Sequence, residues 1–258
     1  MRRRGVTAAI LGLLVGSPAV FAGGGPQFTT EFALENCSFT EWAGNKFFSL
    51  QPGHELELEG DDDGTLVQVE IEATRHTKTV SFTTPSGKRL RVRTRVVTET
   101  EFEDGELVEV SRNFFALCRQ TNDVFYFGEE VDNYEDGEIV DHDGSWLAGV
   151  AGAQPGLIMP GRFLLGSRYL QEQAPGVATD AAENVAMGLT VEVPFGTFRN
   201  CVEVLDTNLL NPGSGSDQKI YCPGIGLVVD EAVELVDFDR PCSRWKGDCD
   251  DDDDDDDD

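Results

Sequence analysis

The sequence predicts a mostly β protein, built on a curled antiparallel sheet or half-barrel with a short helix and a long Gly/Pro-rich loop. Apolar and polar residues alternate, as in 54–59 and 66–71, and this pattern is typical of strands with one buried face. Asp-Gly pairs at 63–64, 104–105 and 136–137 accept the positive φ of hairpin turns. A sheet of about ten or more strands must bend or close. A β-sandwich of two sheets is the alternative architecture.

The elements are expected in a simple order along the chain. Residues 54–146 predict a meander of about eight strands. Residues 147–176 are rich in Gly and Pro and predict a long ordered loop that contains one strand, 168–172. Residues 178–186 predict a short helix, because residues suited to an N-cap precede an alanine-rich stretch. Further strands are expected at 189–193, 197–206, 218–222 and 226–236.

The N-terminus has the three parts of a secretory signal peptide. Residues 2–4 are arginines, residues 6–15 form an apolar run too short to span a bilayer, and small residues precede an expected cleavage site after Ala22. We therefore expect residues 1–22 to be removed and the protein to be secreted or periplasmic. Residues 23–237 are expected to form a single β-rich domain. Nothing after the leader resembles a membrane-spanning segment.

The chain is strongly acidic, with a formal net charge of −28 at pH 7. Such a protein repels nucleic acid and anionic lipid and attracts cations, so we expect no nucleic-acid partner. Residues 238–258 contain two cysteines and end in a run of aspartates. This segment has little apolar surface to bury, and we expect a disordered acidic tail. The protein is expected to be a monomer.

Six cysteines follow the leader, and an even count in an exported chain favours disulfides over metal ligation or a catalytic thiol. Several pairings are open to them. Proximity along the chain and between neighbouring strands favours Cys242–Cys249, Cys201–Cys222 and Cys37–Cys118.

Distinctive motifs are spread over residues 46–229. They include Asn122-Asp123-Val124-Phe125-Tyr126-Phe127-Gly128-Glu129, Gly144-Ser145-Trp146-Leu147-Ala148-Gly149, Pro155-Gly156-Leu157-Ile158-Met159-Pro160 and Tyr221-Cys222-Pro223-Gly224-Ile225-Gly226-Leu227-Val228. In these motifs the chain resembles an uncharacterised family of secreted, β-rich bacterial proteins. The resemblance implies an extracytoplasmic β-rich domain and carries no established activity. Cys222 stands where the family pattern has Ala, and Cys118 falls near an expected Gln, which implies an added disulfide layer.

A ligand pocket is predicted where the Gly/Pro-rich segment meets aromatic residues. Two glutamates would orient a ligand against an apolar lining. The candidate binding residues are Tyr126, Glu129, Trp146, Met159, Tyr169 and Glu172. The same aromatic residues would equally close the end of the sheet as ordinary core, and this alternative stays open. The favoured function is an extracytoplasmic binding or carrier domain for a small apolar or amphipathic molecule.

An acidic loop provides the first alternative function. Asp132, Asp136, Asp141 and Asp143 lie close together in the sequence and are candidate Ca²⁺ ligands of an acidic surface or matrix protein that takes divalent cations as partners. A hairpin turn explains Asp136-Gly137 without a metal. No cofactor other than Ca²⁺ is expected.

A carboxylate-dependent hydrolase is the second alternative. Glu129 with Glu172, or Glu172 with Asp180, would supply a general acid and base. The sequence contains no GxSxG, HExxH or Walker-type motif. An enzyme is therefore less favoured than a binding protein, and no catalytic residue is assigned.

Four arginines alternate with other residues at 89, 91, 93 and 95, so one strand would carry them on one face. They would bind an anionic ligand or pair across the sheet with glutamates at 55, 57 and 59 or 70 and 72. The cross-strand pairing is the favoured interpretation.

Overall fold

One antiparallel sheet of 16 strands dominates the computed structural model, which describes residues 27–240. The predicted signal peptide, the Cys242–Cys249 pair and most of the acidic tail lie outside the described residues. A 3-10 turn at Leu34–Asn36 is the sole helical element within the described range. The strands are β1 (Phe39–Thr40), β2 (His54–Asp62), β3 (Thr65–Thr83), β4 (Arg89–Glu103), β5 (Glu106–Cys118), β6 (Val124–Glu135), β7 (Glu138–Asp141), β8 (Trp146–Leu147), β9 (Gln154–Met159), β10 (Arg168–Leu170), β11 (Glu172–Gln173), β12 (Asp180–Val193), β13 (Gly196–Asn208), β14 (Asp217–Cys222), β15 (Gly226–Asp230) and β16 (Val233–Asp239).

The sheet curls into a nearly closed barrel, which confirms the predicted curled sheet. Its strand order is β10-β12-β13-β14-β15-β16-β2-β3-β4-β5-β6-β9-β11, while β1 pairs with β5, and β7 and β8 pair with β6. The two end strands are consecutive pieces of one segment. Before Gln171 this segment pairs with β12, and after Gln171 it pairs with β9. The chain itself therefore joins the two edges of the sheet.

The Asp-Gly turns form as predicted. Asp63, Asp104 and Asp136 have φ values of 50°, 49° and 54°, and the glycines that follow them also have positive φ. Because antiparallel strands alternate in direction, these turns lie at the same end of the barrel as the turns after β13 and β15. We call this the acidic end, and the opposite end the apolar end.

Three details of the predicted element list are wrong. Residues 178–186 are not a helix, because Asp180–Val193 is strand β12 and pairs along its length with β13. Edge-to-edge pairing inside the barrel satisfies its backbone and outweighs the helix preference of alanine. The Gly/Pro-rich segment also carries β9 in addition to the expected strand. The strand expected at 226–236 is two strands, separated by a turn at Glu231, which has a φ of 51°.

The hairpin of β3 and β4 is longer than its neighbours and is bent by an irregularity between Ala73 and Thr77. Its far half packs outside the barrel wall, where the Phe82 ring lies 5.8 Å from that of Phe127. The N-terminal segment covers the same outer layer, since Phe39 contacts Phe127 at 5.4 Å. Phe39, Phe82 and Phe127 thus belong to an apolar core outside the wall, and none of the three lines the barrel interior.

Two disulfides tie this arrangement together. Cys37–Cys118 anchors the N-terminal segment to β5, and Cys201–Cys222 joins β13 to β14. Both predicted pairs are confirmed. Disulfides are typical of proteins in oxidising compartments. Within residues 27–240, no helix has the length and apolar character needed to cross a membrane.

Candidate functional site

The interior of the barrel contains a cavity of about 270 Å³. Side chains from nearly every barrel strand and from the N-terminal segment line it. Its apolar lining residues are Phe48, Leu56, Ile71, Ala73, Val97, Phe115, Ile158 and Leu227. Leu56, Phe115, Ile158 and Leu227 lie toward the apolar end of their strands. These side chains point away from the outer core and face the space within the barrel.

The other half of the cavity is acidic. Seven carboxylates line it, each from a different strand: Glu99 (β4), Glu109 (β5), Glu129 (β6), Glu172 (β11), Asp180 (β12), Asp206 (β13) and Asp230 (β15). Most lie near the turns of the acidic end, because Asp180 begins its strand, and Asp206 and Asp230 lie at or near the ends of theirs. The lumen is therefore amphipathic along the barrel axis.

Lys219 on β14 is the one Lys or Arg in the lining of this cavity. Its Nζ lies 2.9 Å from Oδ2 of Asp230 and 3.9 Å from Oδ2 of Asp206. Burial acts to lower the pKa of Lys219, but Asp230 and Asp206 outweigh it and hold that pKa well above its usual value. The lysine is thus a fixed cation, and it balances only a small part of the acidic lining.

Crowding of buried carboxyls shifts their protonation into the neutral range. Burial raises the pKa of Glu99 to about 7, and it does the same for Asp206, in each case against the opposing effect of Lys219. The pKa of Glu129 is also about 7, mainly through burial. Glu172 has a pKa well above its ordinary value, because burial and then the charges of Glu129 and Asp180 disfavour its ionised form. Near neutral pH the lumen therefore carries both protons and negative charge.

A short chain of neutral polar groups lies between the two halves. The Tyr126 hydroxyl donates to Oδ1 of Asn113, and Nδ2 of Asn113 donates to the Ser111 hydroxyl at 2.8 Å. These residues line the cavity from β5 and β6. Their mutual bonds hold the side chains in place. They form a polar surface beside the carboxylates.

The six predicted binding residues divide into two groups. Tyr126, Glu129 and Glu172 line the cavity, whereas Trp146, Met159 and Tyr169 are buried and do not line it. Trp146 supports the wall from behind, since its ring makes an edge contact with Tyr126 at 5.3 Å. Tyr169 donates to Oδ1 of Asn184 at 3.0 Å. The open alternative of ordinary core packing thus describes these three aromatic and sulfur-containing side chains.

Sequence reasoning missed most of the acidic lining. Glu99, Glu109, Asp206, Lys219 and Asp230 were not among the predicted binding residues. The strand pattern contained a signal, because Glu99 has the same parity as buried Val97, and Asp206 has the same parity as buried Val204. Charged residues on the buried parity of a strand indicate a polar lumen.

Of the four aspartates proposed for calcium, Asp132 and Asp141 have side chains engaged in other contacts, and Asp143 makes hydrogen bonds through its backbone N–H and carbonyl. Asp132 pairs with Arg112 and with His142, each at 2.8 Å. Asp141 accepts a hydrogen bond from Asn133 at 2.6 Å, and Asp136 forms a turn. Across residues 27–240, no group of three or more His, Cys, Asp or Glu side chains is placed to hold a metal ion. Calcium binding stays a prediction.

The expected pairing between the arginine and glutamate stripes is wrong. β4 places Arg89, Arg91 and Arg93 opposite Thr83, Ser81 and Thr79 of β3. The glutamates of β2 instead face glutamates of β3, with Glu55 opposite Glu72 and Glu57 opposite Glu70. The length of β3 explains this result. Its first half pairs with both β2 and β4, whereas the arginine-bearing part of β4 pairs with residues 77–83 of β3, beyond the end of β2.

Arg95 is separated from the rest of the stripe by burial. Its side chain is fully buried, and its guanidinium donates to the carbonyl oxygens of Glu41 and Leu50 at 3.2 Å and to those of Thr74 and His76 at 3.2 and 3.3 Å. It joins the N-terminal segment to the barrel wall. Its role is therefore structural.

No protein-family model, curated protein or solved structure matches this chain. The resemblance to secreted bacterial proteins stays a prediction. Functional inference consequently depends on the cavity itself.

Proposed function

We propose that this chain is an extracytoplasmic binding or carrier protein that holds a small amphipathic molecule inside its barrel. The observation that carries the proposal is the cavity of about 270 Å³ with an apolar half and a polar half. Ligand sites in proteins combine an apolar lining with a few polar groups that orient the ligand. The lumen has both parts.

The apolar half supplies the binding free energy in this proposal. Leu56, Ala73 and Val97 are almost fully buried from bulk solvent but face the cavity. Covering such surface with an apolar ligand is worth about 25 cal/mol per Å². The polar half then sets the direction in which the ligand enters.

Export is the second part of the proposal. Two disulfides support an oxidising compartment, and residues 1–22 have the composition of a signal peptide. The intact mass of the protein from its own host tests this part. A mature chain that begins at Gly23 is expected, and an uncleaved cytoplasmic chain with reduced cysteines would refute it.

Binding is tested with N-phenyl-1-naphthylamine, a neutral apolar fluorophore whose emission rises in apolar surroundings. Wild-type protein should bind it with saturation. Ala73→Leu places extra volume in the cavity and should weaken binding at least about tenfold, because the space is reduced. Ala232→Leu adds the same volume at an exposed turn residue and should leave binding unchanged. Unsaturable emission, or equal binding by both variants, would contradict the proposal.

Hydrolysis by Glu129 and Glu172 is a second candidate. The structure places both carboxyls in one cavity, and the charge of Glu129 contributes to the raised pKa of Glu172. A protonated and an ionised carboxyl close together are the usual machinery of glycosidases. A panel of 4-nitrophenyl glycosides tests it. Turnover that falls at least about a hundredfold in both Glu129→Gln and Glu172→Gln would support this candidate, and no turnover by wild-type protein would exclude it for these substrates.

A further inference from the structure

We infer that the ligand of the lumen is an organic cation: an amine with an apolar body, bound with its ammonium among the carboxylates of the acidic end. This inference rests on the proposed function and names its ligand class. The charge of the lining, a buried carboxylate oxygen without a hydrogen-bond donor and the spacing of the carboxylates each support it.

Charge gives the first argument. Seven carboxylates line the cavity and Lys219 is the one Lys or Arg side chain in its lining. That lysine is already paired with Asp230 at 2.9 Å. Any anion would meet uncompensated negative charge, whereas an ammonium would compensate it. A neutral ligand would leave the carboxyls as they are.

A carboxylate oxygen without a donor gives the second argument. Oδ1 of Asp180 is enclosed by protein atoms and accepts no hydrogen bond. Asp180 begins β12 and lines the acidic half of the cavity. Buried polar groups are almost always paired, and an ammonium, which has donors and no acceptor, would supply the missing donor.

The spacing of the carboxylates argues against a metal ion. The seven come from seven strands around the wall, and the described chain contains no group of three or more acidic or His/Cys side chains close enough to share one ion. Divalent cations require several oxygen ligands within about 2.0–2.6 Å. An ammonium accepts looser contacts with several carboxylates and fits a wide acidic ring better.

The apolar half determines the rest of the ligand. Phe115, Ile158 and Leu227 face the cavity beyond the carboxylates. His54 lies at this end with its Nε2 2.7 Å from the Ile225 carbonyl, and burial lowers its pKa, so the end carries no cation of its own. A hydrocarbon chain there would cover apolar surface while the head group reaches Glu172 and Asp206. The acidic turns at the other end would attract the ammonium as it approaches.

Three probes with the same chain length separate charge from apolar binding. Octylammonium, 1-octanol and octanoate are titrated into wild-type protein by calorimetry at pH 8. We expect octylammonium to bind at least about tenfold more tightly than octanol, and octanoate not to bind. At pH 5 the preference should shrink, because protonated carboxyls no longer attract the head group. Titrations in two buffers of different ionisation enthalpy should show protons released on binding of octylammonium.

Two variants test the assigned residues. Glu172→Gln and Asp206→Asn should each weaken octylammonium at least about fivefold and leave octanol unchanged, because only the charged contact is lost. Glu57→Gln removes an exposed glutamate of the outer face and serves as the matched control. It should change neither affinity.

The outcomes distinguish this inference from the proposed function. Equal affinity for octylammonium and octanol would overturn the cationic ligand and leave the carrier in place. Tighter octanoate binding would overturn it as well. Displacement of octylammonium by equimolar Ca²⁺ would identify a metal site instead. Failure of all three probes, together with unchanged N-phenyl-1-naphthylamine binding in Ala73→Leu, would overturn both proposals.

Discussion

The ammonium of Lys219 lies 2.9 Å from Oδ2 of Asp230, inside a cavity whose lining includes six further carboxylates. Lys219 is the one Lys or Arg in the cavity lining that offsets the negative charge of these carboxylates. Removal of the lysine would leave the carboxylates without an internal cation. Its consequences are therefore expected to depend on pH.

Lys219→Met should destabilise the protein by about 2–4 kcal/mol at pH 8, because it leaves buried carboxylates unpaired. At pH 5 the loss should be much smaller, since the neighbouring carboxyls can take up protons instead. Urea unfolding at the two pH values measures both effects. Lys88→Met removes an exposed lysine and is the control. A loss of equal size at pH 5 and pH 8 would show that charge in the lumen is not the cause.

The free energy of unfolding should fall as pH rises from about 4.5 to 7. Glu99 and Glu129 have a pKa of about 7 in the folded protein against 4.5 as the ordinary value. In this window the unfolded chain has released protons that the folded chain still binds, so folding loses stability as pH increases. We expect a total loss of at least about 2 kcal/mol between pH 5 and pH 7.5.

The matching variant for the pH profile is Glu99→Gln. It removes one of the proton-binding groups and should raise stability at pH 7.5 by about 1–2 kcal/mol while changing little at pH 5. Glu57→Gln changes an exposed glutamate and should leave the slope intact. A wild-type profile that is flat, or that rises through this window, would contradict the raised carboxyl pKa values.

Arg95→Met should destabilise the protein by about 2–4 kcal/mol, because the carbonyl oxygens that its guanidinium binds lose a charged donor. Arg95→Lys should recover only part of this loss, since an ammonium cannot reach the same set of oxygens. Limited proteolysis should cut the N-terminal segment faster in both variants. Arg91→Met, at an exposed residue of the same strand, should behave as wild type. An uncut segment in Arg95→Met would show that the arginine does not hold it.

The two disulfides should contribute unequally. Cys37 and Cys118 are 81 residues apart in sequence, and Cys201 and Cys222 are 21 apart. Loop-closure entropy therefore predicts that the double alanine variant of the first pair is less stable by about 1 kcal/mol than that of the second. Chemical denaturation of both variants measures the difference. A larger loss for the shorter loop would show that native packing, and not chain entropy, dominates.

The local signals in the sequence were reliable where local chemistry decides the structure. Asp-Gly pairs require a backbone with positive φ, and the turns at 63–64, 104–105 and 136–137 have it. Alternation likewise marked the long strands. The helix expected at 178–186 failed because pairing with β13 and β10 decides the conformation of that segment. Such pairing is set by residues far away in the sequence.

The candidate site divides in the same way. Glu129 and Glu172 were identified from the sequence, with Asp180 as an alternative partner of Glu172, but Glu99, Glu109, Asp206 and Asp230 were not. The closure of the sheet adds Asp180, Asp206 and Asp230 to them. Strands β12 and β13 are neighbours, β15 lies two strands beyond β13, and the segment that contains β11 joins the two edges of the sheet. Strand parity indicates which carboxylates share a face. It does not indicate which strands become neighbours.

By itself, the sequence determined the β class, the hairpin turns and the acidic character of the protein, and it favoured the two disulfide pairs of the described chain among several possible pairings. These properties follow from residue chemistry over a few neighbouring positions, or from cysteine spacing and overall composition. Only the tertiary structure decided that Phe39, Phe82 and Phe127 pack outside the wall. It also decided that the lumen keeps a cavity lined by seven carboxylates and one lysine. Closure of the sheet brings distant strands together, and the energy of each buried charge depends on neighbours that closure alone selects.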